Sequence, residues 1–148
     1  MEHGKGGKHG KNGKNGKNGK GTNTMLHATV TEVVIASFYR VYNILGYGFL
    51  EKVYENALAH ELQKKGLHVA TQHNIKVFYD GMEVGDYYAD LFVNGVVIVE
   101  LKAAECLRQE HAAQLLNYCR ATGVEVGLLI NFGKSPEVRR VVFPSCVP

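Results

Sequence analysis

The stretch Asp90-Leu91-Phe92-Val93-Asn94-Gly95-Val96-Val97-Ile98-Val99-Glu100-Leu101-Lys102 carries the fold of this chain. Two carboxylates and a lysine sit in a run that is otherwise almost wholly apolar. Apolar runs of this kind belong to strands buried on both faces. Ionised groups there cost several kcal/mol unless something pairs them. A divalent cation with a phosphate would pair them. The simpler alternative is a salt bridge between Glu100 and Lys102 near a strand end.

Glu100 and Lys102 are two apart on one strand, so both point to the same face, their Cα atoms roughly 6.5 Å apart. Whether Asp90 joins them depends on the turn. A two-residue turn at Asn94-Gly95 pairs Val93 with Val96 and Asp90 with Val99, which puts Asp90 on the other face. A three-residue loop Val93-Asn94-Gly95, with Gly95 left-handed in a bulge, pairs Phe92 with Val96 and Asp90 with Ile98. Asp90 and Glu100 are then diagonal neighbours, about 7–8 Å apart at Cα. Carboxylates at that separation can share one cation at ~2.1 Å per oxygen, as Mg²⁺ requires. A site here therefore demands an odd loop or a bulge in the hairpin.

Outward from this stretch the pattern alternates between helix and strand. Leu26, Val30, Val34, Phe38, Val41 and Leu45 fall at steps of three and four, which predicts an amphipathic helix broken by Gly46-Tyr47-Gly48. A second helix is expected from about Phe49 to Lys65, with Leu50, Tyr54, Leu58 and Leu62 at four-residue spacing and Gly66 ending it. Strands follow over Leu67–Tyr79, Val84–Val93 and Val96–Ala103, the first two separated by the turn signal Asp80-Gly81. Gln109–Thr122 reads as a helix, Val124–Phe132 as a fourth strand and Glu137–Phe143 as an edge strand. The order predicts an α/β fold, a mixed sheet of about five strands flanked by helices.

The 148 residues suffice for one domain with a core. Residues 1–24 repeat Lys-Asn-Gly and offer nothing apolar to bury after Met1, so a disordered tail is expected ahead of a domain over 25–148. That tail could bind phosphates non-specifically, or be inert, or precede a true start at Met25. Its six lysines and one glutamate hold the positive charge; residues 25–148 carry 11 Lys and Arg against 13 Asp and Glu. Nucleic-acid affinity in the domain must then come from a local patch or bound metal. No apolar run is long enough for a membrane span, and no apolar segment marks a secretory signal. Cys106, Cys119 and Cys146 have spacings that suit neither a zinc site nor a disulfide framework, so a cytoplasmic protein with reduced thiols is expected. A homo-oligomer is compatible with the sequence but not indicated by it.

Two helical patterns add to the acids. Glu51 and Tyr54 share a face at the start of the second helix, where an acid also suits the helix dipole. His111, Gln114 and Tyr118 share a face of the third helix, which could position a base or phosphate or could be a solvated polar face. Gly48-Phe49-Leu50-Glu51-Lys52-Val53-Tyr54 matches the pattern that names the GxxExxY proteins, small bacterial proteins of the PD-(D/E)xK nuclease-like superfamily. Asp90 matches that superfamily's first acid, and Glu100-Leu101-Lys102 its (D/E)xK element. Gln114-Leu115-Leu116-Asn117-Tyr118 is similar to the QxxxY element of RecB-type exonucleases, and Gly127–Gly133 resembles the closing strand. The resemblance covers about Leu26 to Phe143, with Tyr47 where a proline is usual and Tyr42 where a histidine is usual.

The resemblance implies a restriction-endonuclease-like (αβββαβ) core and metal-dependent phosphodiester hydrolysis, with DNA more expected than RNA. Asp90 and Glu100 would hold one or two Mg²⁺ (or Mn²⁺), joined by the Leu101 backbone carbonyl and by Glu51. The metal would lower the pKa of its water. Lys102 would orient that water or neutralise developing charge. Gln114, Tyr118 and Tyr54 would position the substrate, and Lys134, Arg139 and Arg140 are candidate phosphate contacts. The alternative is a non-catalytic module on the same fold that binds nucleic acid or a protein partner.

Overall fold

A computed structural model describes residues 27–143 of the chain. The 1–24 tail and Cys146 lie outside the described residues. The elements run α1 (Ala28–Leu45), α2 (Glu51–Lys64), β1 (Val69–Tyr79), β2 (Met82–Val93), β3 (Val97–Lys102), α3 (Gln109–Thr122), β4 (Val126–Phe132) and β5 (Pro136–Val142). The strands form one sheet in chain order. Only β3 and β4 pair in parallel, because α3 carries the chain back across the sheet between them. This is the mixed sheet with flanking helices that the residue pattern predicts.

The strand alternation distributes the sheet between two apolar layers. Val97, Val99 and Leu101 of β3 and Leu128, Ile130 and Phe132 of β4 pack against Val34 and Phe38 of α1 and Tyr54, Leu58 and Leu62 of α2. Ile98 and Leu129 face the other way, onto Leu115, Tyr118 and Cys119 of α3. Gly127 lets α3 come close: a Cβ there would stand 2.8 Å from the Leu115 side chain. Glu100 and Lys102, sharing parity with Ile98, therefore emerge on the α3 side at the end of β3.

Strand boundaries move where turns decide them. Asp80 and Gly81 both take left-handed backbone (φ 51 and 74), so β2 starts at Met82 directly opposite Tyr79, two residues before the expected start. The β1–β2 pair becomes a long ribbon whose outer end carries exposed Tyr79 and Met82. No helix among the described residues is long and apolar enough to cross a membrane.

Candidate active site

The turn between β2 and β3 meets the demand for a bulge, at a different residue. Asn94 and Gly95 are both left-handed (φ 51 and 65), and Val96 N–H donates to Val93 O at 3.1 Å. The ladder nevertheless pairs Val93 with Val97, so Val96 is the extra residue. The expected pairing of Phe92 with Val96 is replaced by Phe92 with Ile98. Continued by two residues, that register sets Asp90 across from Glu100 rather than diagonal to it. The cause is that Asn94, like Gly95, tolerates left-handed backbone, which moves the bulge one residue along.

A second irregularity lies on the other side of Asp90. Gln72 of β1 has φ 49, and the β1–β2 ladder pairs Thr71 with Leu91 and His73 with Ala89 but skips Gln72 and Asp90. The alternation of β2 breaks there. Leu91 joins the α1/α2 layer, whereas Ala89, of the same parity, joins the α3 layer. Asp90 N–H instead donates to Glu100 Oε1 at 2.9 Å, and Leu101 N–H donates to Asp90 Oδ2 at 2.8 Å. Each acid is thus held by the backbone of the strand opposite.

Gln72 has a further task. Its Nε2 donates to Asp90 Oδ1 (3.3 Å) and to Glu55 Oε2 (3.0 Å), spanning two carboxylates with one amide. Glu55 is buried on α2 and also accepts from Lys52 Nζ at 3.2 Å. Burial, foremost, and the neighbouring Glu55 charge raise the Asp90 pKa, against the lowering effect of Leu101 N–H, Gln72 and Lys102. Burial and the Asp90 charge raise the Glu100 pKa to about 8. Neither acid makes an ion pair among the described residues, so the simple Glu100–Lys102 salt bridge is not formed.

The helix residues divide. Tyr118 is buried beside the pair, and its hydroxyl accepts from Gln114 Nε2 at 2.9 Å. Burial and the charges of Glu100 and Asp90 raise its pKa to about 12, so the phenol stays protonated. His111 leaves that face: its Nδ1 accepts from Arg108 N–H and caps α3. Tyr54 corrects an expectation. It is fully buried and stacks on Phe132 at 4.1 Å between centroids. Its hydroxyl donates to Gly46 O (2.7 Å) and accepts from Phe49 N–H (3.2 Å). It ties down the Gly46–Phe49 loop and has no surface to offer a substrate. Glu51 is exposed at the start of α2, and no hydrogen bond or ion pair links it to Asp90 or Glu100. The acid that reaches Asp90 from α2 is Glu55, one turn further on.

Three positions went unmarked in the sequence: Glu55, Gln72 and Asn131. Glu55 follows Glu51 by one helical turn on the same face, a spacing that could have found it. Gln72 sits inside an otherwise regular strand pattern and gives no signal. Asn131 is fully buried in β4; its side chain accepts from Ala104 N–H (3.0 Å) and donates to Ala104 O (2.9 Å), fixing the chain just past Lys102. Arg139 is engaged with Glu137 at 3.0 Å and with Leu107 O. Cys119 is buried with its pKa pushed up to about 11, an unreactive thiol.

Among the described residues no group of three or more His, Cys, Asp and Glu is arranged to hold a metal ion. The donor set is two carboxylates, hard oxygen ligands that repel one another when both are charged. Leu101 adds to it: in an extended strand the N–H and C=O of one residue point the same way, so the Leu101 carbonyl faces the β2 side with its N–H. Mg²⁺ is commonly held by one or two carboxylates, with water and phosphate completing its shell, and the donors fit that pattern.

The family profile of the PD-(D/E)XK nuclease superfamily matches residues 28–141. The chain belongs to this superfamily. The crystal structure of SSO0001 resembles it with a TM-score of 0.50 at 16% sequence identity, over 82% of this chain and 61% of that one. The chain thus spans about three fifths of the length of that protein, and the likeness concerns the fold alone. The comparison with curated proteins finds no match. Asp90 of β2 lies against Glu100-Leu101-Lys102 at the end of β3.

Proposed function

We propose that this superfamily member is a metal-dependent nuclease of the GxxExxY group, hydrolysing phosphodiester bonds in nucleic acid, DNA before RNA, in the cytoplasm. One observation carries the proposal. Buried Glu100 and half-buried Asp90 face each other with raised pKa values and, among the described residues, no ion-pair partner, an arrangement that a divalent cation stabilises. Asp90, Glu100 and the Leu101 carbonyl would hold Mg²⁺ or Mn²⁺, with Glu51 reaching it through water. Such a metal lowers the pKa of bound water and stabilises charge on the scissile phosphate.

The chain's own groups supply the rest. Lys102 shares the face of Glu100 and lowers the pKa of both acids, so its charge lies within reach of the pair. There it orients the attacking water or offsets charge on the phosphate. Gln72 and Glu55 are positioning residues for Asp90. Tyr118 keeps its proton, so its hydroxyl can donate to a phosphate oxygen while Gln114 holds it in place. Asn131 anchors the segment that follows Lys102.

The full chain should cleave DNA in Mg²⁺ or Mn²⁺ and not in EDTA, and Lys102→Ala should abolish cleavage with unchanged circular dichroism. Residual activity in Lys102→Ala equal to the wild type would refute the mechanism. The mildly acidic domain favours a second reading, a non-catalytic binding module. Calorimetry separates the two, because a pure binder has no need of a Mg²⁺ site that Glu100→Gln removes.

A further inference from the structure

The β1–β2 ribbon passes alongside α3 and leaves a groove of about 750 Å³ between them. Val77 and Tyr87 form the ribbon wall; Gln114, Asn117, Tyr118 and Arg120 line the helix wall, with Glu110 at the start of α3. The Tyr87 ring lies along the ribbon over Gly85, since a Cβ on Gly85 would stand 2.9 Å from Tyr87 Cε2. Glycine at 85 thus lets the ring lie against the strand. Tyr87 remains 45% exposed, and its ring meets the Tyr118 ring at 5.7 Å between centroids, tilted by 46°. Tyr118 in turn sits beside Asp90 and Glu100, whose charges raise its pKa. The groove therefore runs from an open aromatic ring to Tyr118, the residue next to the acid pair.

We propose that this groove holds an unpaired nucleobase of the strand being cut, stacked on Tyr87. The proposal rests on the nuclease reading and names its substrate as single-stranded or locally unpaired nucleic acid. In a duplex both faces of every base are covered by neighbours, so a ring set along a groove wall can be used only by an unstacked base. The helix wall supplies matching chemistry. Among the described residues Gln114 donates through Nε2 to Tyr118, which leaves its Oε1, with the Asn117 amide, to meet a base edge; Arg120, over the Phe143 ring at 5.8 Å, carries the positive charge for a phosphate. On the opposite face of the ribbon Glu83 and Asp86 are already bonded to Lys76 and Asn74, and among the described residues that face offers a base no comparable groove.

The test is a binding measurement on the full chain in EDTA, which reads stacking independently of cleavage. The probe is an oligonucleotide carrying 2-aminopurine, single-stranded or in a duplex. The expected result is quenching on binding the single strand, with affinity at least about tenfold above that for the duplex. Tyr87→Ala should remove the quenching and lose about tenfold in affinity. Tyr87→Phe should keep both. Gly85→Ala retains the tyrosine but lifts its ring off the strand, and should imitate Tyr87→Ala. Equal affinity for duplex and single strand, or wild-type quenching in Tyr87→Ala, overturns the proposal. So does a sedimentation result in which Tyr87→Ala dissociates a dimer while oligonucleotide binding is unchanged, because the ribbon then serves a second copy of the chain. Duplex cleavage without quenching would overturn the groove assignment and leave the nuclease reading standing.

Discussion

Replacing Glu100 by glutamine probes the energetic state of the acid pair directly. The Glu100 carboxyl has a pKa of about 8 in the fold against an ordinary 4.5, because it is buried and faces Asp90. The native state therefore holds this proton more tightly than the unfolded chain does. The stabilisation is fully present below the unfolded value of 4.5 and is lost as pH rises through about 8. At about 1.36 kcal/mol per pKa unit, the gap caps the effect near 5 kcal/mol. Asp90 competes for the same proton, so a loss of a few kcal/mol between pH 5 and 8 is expected. Glutamine stays neutral throughout, and its Oε1 can accept the Asp90 N–H as the carboxylate does. Urea unfolding in EDTA, followed by circular dichroism at each pH unit from 5 to 9, measures the difference. With slopes of roughly 1–3 kcal/mol per molar urea, the wild-type midpoint should fall by about 1 M or more relative to the variant. Mg²⁺ at pH 8 should restore the wild type more than the variant. Parallel pH curves for the two proteins would show that Glu100 is not held protonated, and the electrostatic argument would fail.

Other substitutions probe the supports of the pair. Gln72→Leu removes the amide that bonds both Glu55 and Asp90 and should cost about 1–3 kcal/mol in denaturant unfolding, with part of the loss recovered when Glu55→Gln is added. Asn131→Leu strands the Ala104 N–H and C=O; it should cost about 1–3 kcal/mol and speed hydrogen exchange at Ala104. Tyr54→Phe should lose about 1 kcal/mol and Tyr54→Ala about 3–5 kcal/mol, while KM for an oligonucleotide stays unchanged in Tyr54→Phe. A raised KM in Tyr54→Phe would contradict its assignment to the core.

Periodicity made most of the fold legible. The helix and strand order follows from apolar spacing, and the alternation along β3 sets Glu100 and Lys102 on one face. The site was legible only in outline. Asp90 could be linked to Glu100 through the parity of the hairpin loop, but the register depended on Asn94 taking left-handed backbone. Asparagine does so often enough that either residue can host the irregularity. Tyr54 looked like a ligand contact because it shares a helix face with Glu51. That same face turns inward one turn later, and the ring fills the core against Phe132. The tie between Glu55 and Gln72 is a different case: the spacing from Glu51 marks Glu55 as an acid on that face, but not its partner. Their roles arise from a contact between α2 and β1 at a point where the ladder is broken, and a broken ladder has no periodic signature. Asn131 likewise reads as one polar residue in an apolar strand until its two bonds to Ala104 are seen.

The extra residue at Val96 bears on how the chain can vary in length. Strand pairing has a period of two, so adding or removing one residue in the Asn94–Val96 turn would rotate every β3 side chain to the opposite face relative to β2. Glu100 and Lys102 would then point at Phe38 and Tyr54, and Leu101 would take their place beside α3. A change of two residues would keep the faces. The turn carries no chemical group of the site, yet single-residue insertions or deletions there should be as damaging as losing an acid, whereas substitutions that keep left-handed backbone at 94 and 95 should be tolerated.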